Sequence, residues 1–321
     1  MEEPPVGTAK GLLYFTDGSL AYAGHYVHEG HHPVHTHSFM EIAVVTGGRG
    51  THRSLDGRRD LQVGEVILLR PGVWHGYEDC QGLDLYNCCF STELLHRELA
   101  WTREDPLLGY LLWTAPNSMQ RRGMLTTRLD AQALKASIVH LDALDQLSRQ
   151  SIDQHRGDII GRLTLFLSHL ARAVTEQRAP GSGPAHPAVV QAMRLLEARM
   201  AYRWTLTELA GELHLSPRYL VRIFKTTTGL PPMAYLAQHR VETAASLLLH
   251  TDQSITQIGQ AVGWGDQNYF ARRFKAHYGL SASTYRQRFT HNAVGLRPSA
   301  RTPSKPGGPA SLSHERKGVI C

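Results

Sequence analysis

The sequence has few cysteines and no long hydrophobic run, and each shortage excludes a class of protein. None of its four cysteines forms a C-x-x-C pair, so neither a zinc ribbon nor a disulfide framework is indicated. No apolar run approaches the roughly 20 residues that span a bilayer. The acidic residues 1–5 lack the basic-then-apolar order of a signal peptide. We therefore expect a soluble, cytoplasmic protein that does not contact membranes.

Acidic residues are scarce in the back third of the chain, although the whole carries a net charge of only +6. Residues 1–185 hold 17 Lys and Arg against 21 Asp and Glu, whereas residues 186–291 hold 12 against 6. Residues 292–321 add 5 basic residues against 1 acidic residue. This asymmetry is typical of a chain in which one module meets nucleic acid and another does not.

Proline, glycine and serine concentrate where the charge changes sign, which predicts a linker. A second stretch of this kind follows the last hydrophobic segment and predicts a disordered basic tail. The predicted parts are an N-terminal arm at 1–10, a front domain at 11–178, a linker at 179–187, a back domain at 188–291 and a tail at 292–321.

The front domain begins with short β-type runs that turn residues separate. The runs cover residues 12–15, 21–27, 40–46, 64–69 and 83–90. Because no helical segment lies between them, they predict an antiparallel sandwich or small barrel. Helices are predicted from about 92 to 177, and two amphipathic ones at 130–147 and 156–177 have apolar faces that either cover the sheet or form a dimer interface.

One segment of the front domain carries candidate ligand-binding chemistry. His35 and His37 lie two residues apart, so on a strand they face the same side, and Glu41 follows closely. With His75 from a neighbouring strand they could form a three-histidine, one-carboxylate site for a divalent transition metal. The alternative is that the same four side chains line a pocket for a small effector without metal. Histidines 25, 28, 31 and 32 are expected in an exposed loop.

These spacings resemble the two cupin motifs, H-x-H-x3-E-x6-G and P-x-G-x2-H. The match departs from the family pattern because His75 follows Pro71-Gly72 rather than a P-x-G, and because Asp79 stands where cupins often have Asn. The resemblance covers residues 11–90 and implies a cupin-like front domain. It also raises a second functional hypothesis, a metal-dependent cupin enzyme with an appended DNA-binding domain.

The back domain contains an internal repeat, in which residues 209–225 match residues 258–275 with one insertion. The matched pairs are Leu209/Ile258, Leu213/Val262, Leu215/Trp264, Tyr219/Tyr269, Leu220/Phe270, Phe224/Phe274, Lys225/Lys275, Gly229/Gly279 and Tyr235/Tyr285. Each copy predicts helix, tight turn and helix, the helix-turn-helix unit that reads duplex DNA. The two units are placed at about 205–228 and 254–278, and the first helix of each begins with a capping box, Thr205 to Glu208 and Ser254 to Gln257.

The second helix of each unit has a polar face opposite its apolar one, as a recognition helix requires. Arginine can read guanine and Gln or Asn can read adenine through paired hydrogen bonds. The predicted DNA-binding residues are Pro217, Arg218, Val221, Arg222, Lys225, Gln267, Asn268, Ala271, Arg272 and Lys275. A helix over residues 231–249 would separate the units by roughly 28 Å. That span is near the roughly 34 Å between successive major grooves on one face of DNA.

Residues 187–290 resemble the DNA-binding domain of AraC/XylS-type transcription regulators. The resemblance rests on Ile258 to Phe274, followed by Gly279 and Tyr285-Arg286. Gly259 departs from the pattern, because the family usually has Ala at this position. With the cupin-like front, the chain looks most like sugar-responsive members, the rhamnose regulators included. The resemblance implies an α+β multidomain regulator that is not an enzyme, with no cofactor beyond a divalent metal. Its implied partners are promoter DNA, a small effector such as a carbohydrate, RNA polymerase and a second copy of the chain.

Overall fold

The computed structural model describes residues 6–9, 12–15, 21–116, 121–148, 152–176 and 186–291. Most of the predicted linker, the predicted tail and part of the N-terminal arm lie outside these residues. Among the described helices, none combines the length and the hydropathy of a membrane span.

The front domain is built on an eight-stranded, largely antiparallel sheet. Its strands are β1 (Val6–Ala9), β2 (Leu12–Phe15), β3 (Ala21–His37), β4 (Met40–Ser54), β5 (Gly57–Leu61), β6 (Glu65–Leu69), β7 (His75–Phe90) and β8 (Met124–Arg128). Their order is β1-β2-β3-β7-β4-β6-β8, and β5 pairs with β4. All five residues of β6, which pairs with β4 on one side and with β8 on the other, are buried. The antiparallel β-domain expected from the sequence is confirmed.

A glycine bend in the middle of β4 shapes the site. The pairing of β4 with β7 shifts register three times between Val45 and Thr51. Gly48 has a φ of +67°, and a Cβ built there would lie 1.9 Å from the carbonyl oxygen of Gly82, so only glycine fits. The bend turns the second half of β4 back toward the first.

One expectation about β3 is wrong. Histidines 25, 28, 31 and 32 do not lie in a loop, because β3 runs unbroken from Ala21 to His37 and pairs with β7. The middle of this strand is half-buried or exposed, so alternating polar side chains cost little there. The bulged ladder with β7 supplies the backbone hydrogen bonds that define the strand.

Helices cover one face of the sheet. They are α1 (Thr92–His96), a 3-10 turn (Ala100–Arg103), α2 (Pro106–Leu108) continuing as a wide π turn (Gly109–Thr114), α3 (Ala131–Ser148) and α4 (Ile152–Glu176). Leu144 of α3 and Phe166 of α4 share one buried cluster with Ile42 and Leu68 of the sheet. The apolar faces of α3 and α4 therefore pack on the sheet, one of the two predicted roles.

The back domain holds α5 (Pro187–Ala198), α6 (Leu206–Glu212), α7 (Pro217–Thr228), α8 (Pro232–His250), α9 (Ile255–Ala261), α10 (Gln267–Tyr278) and α11 (Ala282–His291). Helices α6–α7 and α9–α10 form two helix-turn-helix units on either side of α8. The capping boxes predicted at Thr205 and Ser254 are present, and Ser216 and Asp266 cap α7 and α10. Gly229 and Gly279 end α7 and α10 in equivalent left-handed conformations.

Candidate effector site and nucleic-acid interface

A buried group of histidines and one glutamate brings together side chains of three strands. His37 ends β3, Glu41 is the second residue of β4 and His75 begins β7, and one nitrogen or oxygen atom of each lies within 4.8 Å of the others. His37 Nε2 is 3.4 Å from Glu41 Oε2. The sequence proposed these three side chains as neighbours, and the structure brings them together.

Two further histidines flank His75. The ring of His35, the fourth predicted member, lies 4.3 Å from that of His75, and its Nδ1 is 3.0 Å from Pro33 O. His52 was not predicted; it is 1% exposed, and its ring lies 5.7 Å from that of His75. An extended strand would place His52 about 36 Å from Glu41, but the bend at Gly48 brings both to His75. We call His35, His37, Glu41, His52, His75 and the neighbouring Tyr77 the histidine cluster.

Burial sets the charge state of the histidine cluster. It lowers the pKa of His35 to about 3 and the pKa values of His37 and His52 to about 4. It raises the pKa of Glu41 to about 7. The imidazoles are therefore neutral at pH 7, the form that binds metals or exchanges hydrogen bonds with a neutral ligand.

Several polar atoms of the cluster have no hydrogen-bond partner within the described part of the chain. They are His37 Nε2, His52 Nε2, both ring nitrogens of His75 and the hydroxyl of Tyr77, all buried. Native proteins satisfy the great majority of such groups, so the cluster has the chemistry of a site that is completed by a bound group.

The loop at residues 70–75 connects the histidine cluster to the back domain. The Tyr285 hydroxyl donates to Gly72 O at 2.6 Å, and Trp74 Nε1 donates to Tyr278 O at 3.0 Å. Arg70, 6% exposed, pairs with Glu242 of α8 at 3.2 Å. The contacts of this loop with α8, α10 and α11 therefore lie within a few residues of His75.

The recognition helices α7 and α10 keep their polar faces accessible. Leu220 and Phe224 of α7, and Phe270 and Phe274 of α10, are fully buried. On the opposite faces Arg218, Arg222, Lys225, Asn268, Ala271, Arg272 and Lys275 are exposed, while Pro217, Val221 and Gln267 are half-buried. All ten predicted DNA-binding residues therefore retain surface on the faces turned away from the core.

Two side chains on these faces have defined local contacts. The Arg222 guanidinium lies over the ring of Tyr219, 5.0 Å from its centroid, an arrangement that limits the freedom of the arginine. Gln267 is folded back, and its Nε2 donates to Thr256 O at 3.3 Å. This position is open to Gln267 because residue 259 is a glycine, whose built Cβ would lie 2.9 Å from Gln267 Nε2.

A ligand-binding β-domain joined to two helix-turn-helix units defines a DNA-binding transcription regulator with a small-molecule sensor. Residues 18–170 match the AraC-like ligand binding domain family, and residues 209–288 match a helix-turn-helix domain family. The HTH-type transcriptional activator RhaR of Pectobacterium carotovorum subsp. carotovorum is 30% identical over 258 residues, 80% of this chain and 87% of that relative. The chain belongs to the AraC family of transcription regulators, and it is not an enzyme.

Other proteins are similar to most of this chain. RhaR of Yersinia pseudotuberculosis is 28% identical over 265 residues, 81% of this chain and 86% of that relative. The solved structure of ToxT from Vibrio cholerae aligns with a TM-score of 0.49 at 13% identity, covering 85% of this chain and 100% of that chain. We call residues 21–176 the sensor domain and residues 187–291 the reading domain.

Proposed function

We propose that this regulator activates transcription by inserting α7 and α10 into successive major grooves of promoter DNA. The observation that carries the proposal is the pair of capped recognition helices with exposed polar faces, joined by the 19-residue helix α8. A helix of that length spans roughly 28 Å, near the groove-to-groove distance of roughly 34 Å. Activation is supported by the names of the RhaR relatives. We therefore also propose that it contacts RNA polymerase and acts in the cytoplasm.

Arg222 and Arg272 are the base-reading residues that we test first. Replacing either with Ala should weaken binding to the cognate promoter by about 1–3 kcal/mol and relax base preference at one position. Arg97→Ala, which removes an equally exposed charge from the sensor domain, is the matched control and should leave DNA affinity unchanged. Measurement is by fluorescence anisotropy with the full chain. Unchanged affinity and preference in both variants would reject the assignment of these recognition faces.

We infer that the effector is a small polyhydroxylated molecule, such as a carbohydrate, bound in the histidine cluster. The support is the group of unpartnered buried donors and acceptors on His37, His52, His75 and Tyr77, which several hydroxyls would satisfy. A thermal-shift screen of sugars on the full chain tests this, because a true ligand raises stability with the logarithm of its concentration. His52→Phe should abolish the shift; an equal shift in this variant would contradict the placement.

A divalent metal is the second candidate occupant, and the residues fit it. Neutral His37 and His75 with the Glu41 carboxylate provide nitrogen and oxygen donors of the kind that zinc, iron and manganese accept. A metal held there would act as a Lewis acid toward an effector hydroxyl. Elemental analysis of the purified protein decides: stoichiometric metal that is lost in His75→Ala supports this occupant. Metal-free protein that also fails to take up iron, manganese or zinc rejects it.

We also propose that the regulator is a homodimer formed through the sensor domain. Val139 of α3 and Leu165 of α4 are 58% and 50% exposed, unusual for large aliphatic side chains. Sedimentation equilibrium of the full chain should give twice the monomer mass, and Leu165→Lys should lower it. A monomeric wild type at micromolar concentration would contradict the proposal.

A further inference from the structure

A pocket lies where the turn before β8 meets the reading domain. Its volume is about 280 Å³. Its lining comes from the sensor domain through Arg122 and from the reading domain through Leu230, Ala234, Gln238, Val241, Arg273, Ala276 and His277. The pocket is distinct from the histidine cluster, since none of its lining residues belongs to that group.

The basic side chains of the pocket outnumber their acidic neighbours. Arg273 Nε and His277 Nε2 are buried without a hydrogen-bond partner in the described part of the chain. Asp56 is close enough to Arg122 for the arginine to lower the pKa of its carboxyl group, which burial raises. Glu242, one turn beyond Gln238 on α8, is already engaged by Arg70 at 3.2 Å and by Gln238 Nε2 at 3.4 Å. Two arginines with one such acid leave the pocket with a net positive charge.

The backbone at Arg122 provides an independent observation. Arg122 has a φ of +44°, a conformation that glycine or asparagine adopts at lower cost. The turn is fixed in place because Arg70 N donates to Gly123 O at 2.9 Å. A Cβ built at Gly123 would lie 2.8 Å from Val73 Cγ2, so the turn packs closely on the loop at 70–75. Backbone strain of this kind is concentrated at ligand-binding sites.

We propose that this pocket binds a small organic carboxylate that bridges the sensor and reading domains. The guanidinium groups of Arg122 and Arg273 can each pair with a carboxylate in bidentate fashion, and His277 Nε2 supplies a further hydrogen bond. Leu230, Ala234 and Val241 form an apolar wall for a short hydrocarbon body.

Such a ligand would couple the two domains directly. It contacts Arg122 of the sensor domain and Arg273 of α10 at once, so it binds the docked arrangement better than a separated one and shifts the population toward docking. Because α10 is a recognition helix, the carboxylate becomes a second input to DNA reading, independent of any occupant of the histidine cluster.

The test uses the full chain without DNA, so its outcome does not depend on the proposed promoter contacts or on the effector. Calorimetric titration with butyrate should show saturable binding, whereas butyramide, the uncharged equivalent, should not bind. Arg122→Gln and Arg273→Gln should each weaken butyrate binding about tenfold or more, the size expected for a lost charge-assisted hydrogen bond. Arg97→Gln, which removes an arginine charge that is 71% exposed on α1, is the matched control and should bind as wild type.

A pocket-filling variant keeps the test decisive if an arginine variant does not fold. Ala234→Met occupies the apolar half of the pocket, retains every charge, and should abolish butyrate binding. Inorganic phosphate that binds as tightly as butyrate, and survives Ala234→Met, would overturn the assignment to an organic carboxylate. No saturable binding of butyrate up to tens of millimolar, or equal binding in wild type and both arginine variants, would overturn the site itself.

Discussion

At the residue scale, Gly259 connects the stability of α9 with the position of the Gln267 side chain. Glycine inside a helix costs up to about 1 kcal/mol relative to alanine, and here it makes room for the folded Gln267 amide. Gly259→Ala should raise the unfolding free energy by at most about 1 kcal/mol, and should displace that amide toward the DNA-facing side. Urea denaturation and selection from randomised promoter sequences measure the two effects.

Gly211, in the equivalent helix α6, provides the control, because a Cβ built there meets nothing within 4 Å. Gly211→Ala should stabilise similarly but leave base preference unchanged. If Gly259→Ala also leaves base preference unchanged, the folded position of Gln267 has no part in reading.

At this scale the sequence identified His37, Glu41 and His75 because their spacing is a motif. It could not identify His52, whose approach depends on the bend at Gly48.

At the element scale, the duplicated capping boxes allow the contribution of a helix N-cap to the unfolding free energy to be measured in both units. Thr205→Ala and Ser254→Ala each remove the hydroxyl that accepts the backbone N–H of the third helical residue. Each should cost about 1 kcal/mol of unfolding free energy. The costs should add in the double variant, because the caps share no partner. Urea denaturation measures all three, and a cost confined to one unit would show that the copies are not equivalent in stability.

These caps were predictable because their signals are local: a Ser or Thr with a Glu or Gln three residues later. The full length of β3 was not predictable from the sequence. Its central histidines do not favour a strand by themselves, and this segment is a strand because it pairs with β7. Helix bounds in the reading domain followed from caps and apolar spacing. The pairing order of the strands required the folded chain.

At the scale of the whole molecule, the Arg70–Glu242 pair should contribute strongly to domain docking. Both partners are nearly buried, with side chains 8% and 12% exposed. Glu242→Gln leaves the Arg70 charge buried without its partner and should cost about 3–5 kcal/mol. The double variant Arg70→Met, Glu242→Gln should recover most of that loss. Urea denaturation of the full chain measures it, with Glu93→Gln of the exposed Arg97 pair as the control, expected below about 1 kcal/mol.

Acid should also destabilise the docked molecule. Burial lowers the pKa of His239 to about 4 and the pKa of His277 to about 3, so both are neutral in the folded chain. Unfolded histidines take up protons below about pH 6.5. The stability that these groups support is therefore complete above pH 6.5 and is lost as the pH falls toward 4, by roughly 2 kcal/mol for each group at pH 5. His239→Gln should flatten this dependence when urea denaturation is compared between pH 7 and pH 5.

The two copies of the repeat contact the sensor domain in different ways. The first unit shares one continuous apolar cluster with the sensor domain. Hydrophobic contact of this kind does not depend strongly on orientation. Trp74 of the loop before His75 donates to Tyr278 of α10, and Tyr285 of α11 donates to Gly72 of the same loop. We therefore expect a displacement of His75 to reach α10 more readily than α7. The two recognition helices are therefore expected to contribute unequally to promoter binding. We expect α7 to set mainly the affinity, and α10 to set mainly how the affinity depends on the effector.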